Sequence, residues 1–266
     1  MVHIPQKLIV HYHHCSIRDV GDIFIDCLTV QLLFLNNVFN CSFVHLVGEA
    51  HPFSSYGSYP YAFNTLEGNI LFGEDIIDYM KNLYLFDSIE YEPYFGVVNE
   101  LKAILEYFLW VDDEIYNNFT KNIYKNRFFY LYYIYLTRRL RRENYEKCQM
   151  AGLDNHNLNI TRLKRILSIL EEVICSADNS TGEERDVCYF DSMCFSVLSI
   201  LYSLPSKFNE DLQRALLSKP SLIEFVRNLN RRYRVWENEK WFLQGVSDGS
   251  GSGSLHRSSR GRVPFV

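Results

Sequence analysis

The chain has no Cys-x-x-Cys pair, no excess of basic residues and no apolar run of bilayer length, and each absence removes a class of function. Its seven cysteines, Cys15, Cys27, Cys41, Cys148, Cys175, Cys188 and Cys194, are odd in number and scattered. That pattern fits free thiols in a reducing compartment better than a disulfide framework or a zinc knuckle. No secretory leader character is present at Met1-Val2-His3-Ile4-Pro5, so the Asn-x-Ser/Thr matches at Asn40, Asn118, Asn159 and Asn179 read as chance. With 27 basic and 32 acidic residues the formal net charge is -5, which speaks against a general nucleic-acid binder. The longest apolar stretch, residues 128–136, has nine residues, four of them tyrosine, set between Arg127 and Arg138. A membrane-spanning helix needs about 20.

What is present is the material of a packed protein. Of the 266 residues, 47% are hydrophobic, 15% aromatic and 22% charged, enough for a core and too few charges for a disordered chain. Residues 8–13 are rich in β-formers and read as a short strand, bounded by a polar turn at 14–21. Residues 22–36 follow as a helix, with apolar positions Ile23, Cys27, Val30, Phe34 and Leu35, and with Asp22 at its positive end. Strand character returns at 41–47, a loop covers 48–58, and 59–63 and 69–72 make a hairpin about Glu67-Gly68. Gly73-Glu74-Asp75 opens a helix through about Lys81.

Past a linker at 83–96 the pattern is helical throughout. Helices are predicted from 100 to 110, from 127 to 150 and from 157 to 176, with a polar turn at 178–184. Residues 191–203 are apolar all round and predict a buried helix, and Lys219-Pro220 opens a last one. The expected organisation is α/β plus all-α. A βαβ–ββα domain at 1–82 leads through the linker into a helical domain at 97–244 and a disordered Gly/Ser and basic tail at 245–266.

A βαβ–ββα unit with proline opening its third strand, followed by helices alone, resembles the glutathione-transferase architecture with its thioredoxin-like N-terminal domain. Tyr59-Pro60-Tyr61-Ala62-Phe63 and Gly73-Glu74-Asp75-Ile76-Ile77-Asp78-Tyr79-Met80 carry that likeness. In such folds the proline is usually cis, and Pro60 matches its position.

Within the superfamily the chain resembles the metaxins over roughly residues 8–235. Asp26-Cys27-Leu28-Thr29-Val30 is similar to their acidic-Cys-Leu-Ala-Val helix start, and Phe108-Leu109-Trp110-Val111-Asp112-Asp113-Glu114-Ile115-Tyr116 to their FWVDAENY-like stretch. Residues 136–142 resemble the Arg-rich segment that follows, and Tyr189-Phe190-Asp191 the aspartate before the central helix. Leu204-Pro205-Ser206 and Lys219-Pro220-Ser221-Leu222-Ile223-Glu224-Phe225 resemble the closing LPS and PNL-x-x-F pattern. The sequence departs from the family where Arg185-Asp186-Val187-Cys188 replaces a Gly/Pro-rich turn, and where Ser58-Tyr59 replaces a Lys-Pro pair. Cys188 also stands where a capping Ser or Thr is expected.

The resemblance implies a subunit of the sorting and assembly machinery, which inserts β-barrel proteins into the mitochondrial outer membrane. Such subunits sit on the cytosolic face, usually in pairs, and bind precursor or barrel without reacting with it. The implied partners are β-barrel assembly subunits and a second metaxin-like subunit. With a polar tail, the chain is expected to be held at the membrane surface by these partners, and no cofactor is expected.

Three groups of residues carry candidate chemistry. A glutathione site needs a Ser, Tyr or Cys after the first strand, which Cys15 or Ser16 supplies, and an acid–hydroxyl pair where the helix after the hairpin begins. Phe72-Gly73-Glu74-Asp75 has no hydroxyl, and its two carboxylates would repel the ligand's own. A transferase or thiol reductase using Cys15 or Ser16 stands as the alternative to the adaptor. His11, His13 and Cys15 alternate along one strand face like half a zinc site, without evident partners, so no metal is expected.

The third group mixes aromatic and basic side chains. Phe128, Phe129 and Tyr132 run into Arg138, Arg139, Arg141 and Arg142, and a second such mixture gathers Arg227, Arg231, Arg232, Arg234, Trp236 and Trp241. Both suit a membrane or partner surface. The competing reading puts the aromatics in the core and leaves the arginines as a solvated helix end. Pro60 and Asp191 are read as structural, the acid satisfying free amides at the start of a buried helix.

Overall fold

The computed structural model describes residues 8–13, 16–17, 21–22, 25–40, 44–49, 59–65, 67–84, 89–125, 130–181, 187–204 and 209–236. Cys15, Phe128, Phe129, Trp241 and the tail lie outside the described residues.

The chain opens with strand β1 (Leu8–His13) and a small antiparallel ladder, β2 (Ser16–Ile17) with β3 (Gly21–Asp22), inside the segment expected as a plain turn. Helix α1 (Cys27–Phe39) follows, then β4 (Val44–Glu49), β5 (Tyr61–Asn64), β6 (Asn69–Phe72) and α2 (Glu74–Tyr84). The four long strands make one sheet in the order β4-β1-β5-β6. β1 pairs parallel with β4 and antiparallel with β5, Val10 standing opposite both Leu46 and Ala62. Gly68, at φ 68, turns β5 into β6. This is the βαβ–ββα order read from the sequence. One sheet face packs on α1 and α2 through Leu8, Val10, Ala62, Leu32, Leu35, Ile76, Ile77 and Met80.

Helix α1 begins five residues later than the apolar period alone places it. Asp22 is engaged in the β2–β3 ladder opposite Ser16, and the capping acid is Asp26. Its carboxylate accepts from the amides of Leu28 (3.3 Å) and Thr29 (3.0 Å) and from the Thr29 hydroxyl (2.6 Å). Asn40, in the left-handed region at φ 48, ends the helix.

The rest is helical. After a 3-10 turn (Ile89–Tyr94) inside the expected linker come α3 (Phe95–Trp110), α4 (Asp113–Ile115), a π-helical turn (Tyr116–Thr120) and α5 (Lys121–Lys125). Then follow α6 (Tyr130–Met150), α7 (His156–Thr181), α8 (Tyr189–Ser203), α9 (Glu210–Leu217) and α10 (Pro220–Tyr233). Helix α7 runs through Thr181 into the segment expected as a polar turn. Helix α9 is additional to the predicted elements. No helix among the described residues is long and apolar enough to cross a membrane.

Helix α8 is the buried axis that its all-round apolar character implies. Phe190, Cys194, Phe195, Leu198 and Leu201 are fully enclosed. Its serines stay inside by turning back on their own helix: Ser192, Ser196 and Ser203 donate to carbonyls three residues earlier at 2.6, 2.8 and 2.7 Å. Helix α1 joins the two halves because it has two apolar faces. Leu32 and Leu35 face the sheet, while Val30 and Phe34 enter the helical core, where Phe34 stacks on Phe195 at 4.7 Å. A buried bond from Gln31 Nε2 to Ser192 Oγ (3.1 Å) fixes the register.

Candidate functional site

Pro60 stands at one end of the sheet, just before β5. The Tyr59–Pro60 bond is cis, and the Pro60 carbonyl accepts from the amide of Gly73 at 3.0 Å, tying the start of β5 to the start of α2. Rings pave this end. His11 stacks flat on Tyr61, centroids 4.7 Å apart, and its Nδ1 lies 2.9 Å from Glu49 Oε1. His13 stands 6.1 Å from the ring of Tyr59 and 6.4 Å from that of Tyr124, which comes from α5. The Tyr59 phenol is pushed up to about 12, by burial first and then by Glu49 and Tyr61, so it keeps its proton at neutral pH. Among the described residues no cluster of three His, Cys, Asp or Glu side chains suits a metal ion. Ser16 pairs through its backbone with Asp22 in the β2–β3 ladder.

Two helices start nearby, and their first residues are Cys27 and Glu74. Cys27 sits at the first position of α1, where helix amides would favour a thiolate. Burial outweighs them and, with Asp26 adding, drives the thiol strongly upward against the pull of Lys102. At the start of α2, Glu74 Oε1 lies 3.3 Å from Lys102 Nζ of α3. Lys102 forms part of the wall of a cavity of about 290 Å³ between α1, α2, α3 and α8. Burial works against its charge, but Cys27, Glu74 and Asp26 together raise its pKa. In the same wall Lys81 Nζ rests 4.7 Å above the ring of Tyr189. Sequence reasoning did not find Lys81 or Lys102: each is one lysine on an amphipathic helix, and only the packing of α2 on α3 brings them together.

The family-like stretch at 108–116 forms a joint. Asp112 caps α4 through the Ile115 amide (2.9 Å) and lies 3.3 Å from His156 Nδ1 at the start of α7. Arg141 reaches in from α6. Its Nε donates to the Trp110 carbonyl (3.0 Å), and its Nη2 donates to the Val111 carbonyl (3.2 Å) and Asp113 Oδ1 (2.6 Å). Its Cζ lies 4.2 Å from the Tyr116 ring centre. Two stretches read separately in the sequence therefore meet, and Arg141 leaves the set of free surface arginines because it closes the C-terminal end of α3.

The other surface candidates separate in the same way. Tyr132 is half-buried, and its neighbours Tyr133 and Leu136 belong to the helical core. Arg138, Arg139 and Arg142 are exposed on α6, Arg139 bonded to Glu143 at 2.7 Å and Arg142 3.9 Å from Glu146. Arg231 and Arg232 are exposed on α10. Trp236 is a correction to the surface reading: it is only 3% exposed. Asn230 holds it there, accepting from the Trp236 amide (2.9 Å) and donating to its carbonyl (3.2 Å). Asp191 is buried in the first turn of α8, where its Oδ2 accepts from the Cys188 amide at 2.9 Å.

No family model matches the chain, and no curated protein matches it. Among solved structures, a glutathione transferase from Phanerochaete chrysosporium superposes with a TM-score of 0.50 at 12% identity, over 85% of this chain and 97% of that one. At that identity the likeness is one of fold. The four-stranded sheet with its helices, followed by the helical region, has the glutathione-transferase shape.

Proposed function

We propose that this chain is a non-enzymatic docking subunit: a metaxin-like adaptor on the cytosolic face of the mitochondrial outer membrane. There it takes part in inserting β-barrel proteins, beside β-barrel assembly subunits and a second metaxin-like subunit. The observation that carries the non-enzymatic part is the Glu74–Lys102 ion pair. Where a glutathione site would need an acid and a hydroxyl at the start of α2, the acid is tied to α3 and the next residue is Asp75. The paved ring surface beside Pro60 and the raised Cys27 thiol support the same reading. The metaxin part is supported by the ordered family-like stretches, two of which interlock through Arg141.

Fractionation of cells carrying a tagged copy tests the adaptor. The protein is expected to pellet with mitochondria, to be digested by external protease, to leave with alkaline carbonate, and to co-elute with assembly subunits after gentle detergent extraction. Recovery only in soluble cytosol would falsify the reading. A calorimetric titration with glutathione tests the alternative built on Cys15 or Ser16: no heat is expected, and saturable binding with conjugating activity would favour the transferase.

A further inference from the structure

We propose that the protein meets its membrane through a row of three arginines on α10, Arg227, Arg231 and Arg234, which takes the phosphates of anionic lipid headgroups. This inference rests on the docking reading above and names the surface that does the docking. The sequence offers two aromatic-basic elements of similar appearance, and the structure separates them by charge balance. On α6 three of the four arginines are engaged with carboxylates: Arg139 bonds Glu143, Arg142 lies near Glu146, and Arg141 is drawn inward onto Asp113 and the end of α3, which leaves Arg138 alone exposed without one among the described residues. The acids on and beside α6 offset the charge of the other three.

On α10 the balance differs. Leu222, Val226 and Asn230 are buried, and the residues following the last two of them, Arg227 and Arg231, carry the stripe toward solvent. Arg234, at φ 49, ends the helix and extends the row. The spacing of four and three residues puts all three on one face within about 10 Å. Among the described residues none of the three has an ion-pair partner, and Glu224, one turn before Arg227, bonds none of them. The Nε of Arg227 is enclosed without an acceptor. Arg232, which leans over the Tyr233 ring at 5.3 Å, is not counted in the row. A guanidinium fork suits phosphate oxygens in pairs, so a line of unpaired forks complements a surface of phosphates.

Flotation of the purified full-length protein with vesicles tests the proposal. Vesicles of phosphatidylcholine with phosphatidylserine are expected to carry the protein up, vesicles of phosphatidylcholine alone are not, and added salt is expected to release it. Arg231→Ala and Arg234→Asn (asparagine tolerates the left-handed backbone) are each expected to weaken partitioning about five-fold. Arg139→Ala and Arg142→Ala on α6 are expected to leave it nearly unchanged. Equal losses from the α6 pair, equal flotation with neutral vesicles, or retention on a polyglutamate resin without vesicle binding would each overturn the assignment. If the α10 variants lose vesicle binding yet pellet with mitochondria as well as wild type, the row binds lipid but is not what docks the protein, and the proposal fails while the adaptor stands. If wild type floats as expected but stays cytosolic in cells, the lipid row stands and the adaptor reading falls.

Discussion

Glu74 Oε1 stands 3.3 Å from Lys102 Nζ, joining the first turn of α2 to the middle of α3. The two partners differ in setting: the Glu74 side chain is 74% exposed and that of Lys102 only 25%. Their removal therefore has unequal effects. Glu74→Gln loses a solvated pair and is expected to cost about 0–1 kcal/mol. Lys102→Met also removes a cation that acts on Asp26 and Glu106 and is expected to cost about 2 kcal/mol. Urea unfolding at neutral pH measures both, and equal losses would show that Lys102 serves Glu74 alone.

Arg141 is the second asymmetric case. It satisfies two carbonyls at the C-terminal end of α3 and lies against the face of Tyr116, so Arg141→Ala is expected to cost about 2–3 kcal/mol. Lysine in its place keeps the charge but lacks the fork, so it is expected to recover less than half of that loss. Arg142→Ala, one residue on and exposed, is expected to stay within about 0.5 kcal/mol of wild type. The idea fails if the two alanine variants melt together.

These pairs mark where the sequence stops being legible. The β-rich run of Leu8, Ile9 and Val10, the turn glycine Gly68 and the all-round apolar run of α8 are local signals, and the elements stand where those signals put them. Choosing between Asp22 and Asp26 as the cap of α1 depended on Thr29 reaching back with both amide and hydroxyl, a three-residue detail that the apolar period does not contain. Helix α9 is eight residues long and holds only Leu212, Ala215 and Leu216 inward, too short a stretch to show a period. Trp236 follows several arginines and reads as a surface aromatic, yet Asn230 folds it inward through a contact that no pattern announces. Of the arginines in α6, only the position of the end of α3 tells which one is structural.

At the start of α8, Cys188 and Asp191 form a reciprocal cap, the Cys188 side chain at the Asp191 amide and the Asp191 carboxylate at the Cys188 amide. The carboxylate accepts from the Cys188 amide at 2.9 Å in a buried setting. Asp191→Ala leaves that amide without this acceptor and is expected to cost about 2 kcal/mol. Asp191→Asn keeps an acceptor oxygen of nearly the same shape and is expected to cost about half as much. The comparison is read from denaturant midpoints at constant slope. Identical losses for the two variants would place the role of Asp191 elsewhere than in the cap.

The same α3 face that holds Lys102 carries Glu106 one turn later, and it predicts an unusual pH response. Burial raises the Glu106 carboxyl above its ordinary range, Asp26 adds to the rise, and Lys102 and Lys147 oppose it without cancelling it. The folded state therefore binds this proton more tightly than the unfolded chain does. By linkage, the stabilisation is fully present below the unfolded value of about 4.3 and is lost as pH rises through the folded value. Most acid-linked carboxylates show the opposite slope. Glu106→Gln removes the titration, so the variant is expected to gain on wild type steadily as pH rises from about 4.3 and to be the more stable at neutral pH. Unfolding free energies over a pH series check this, and a difference that is flat or of reversed sign would mean that the lysines dominate. Lys102→Met in the same background isolates the cause: with that cation gone the Glu106 window is expected to widen upward, because burial and Asp26 are then opposed by Lys147 with less help.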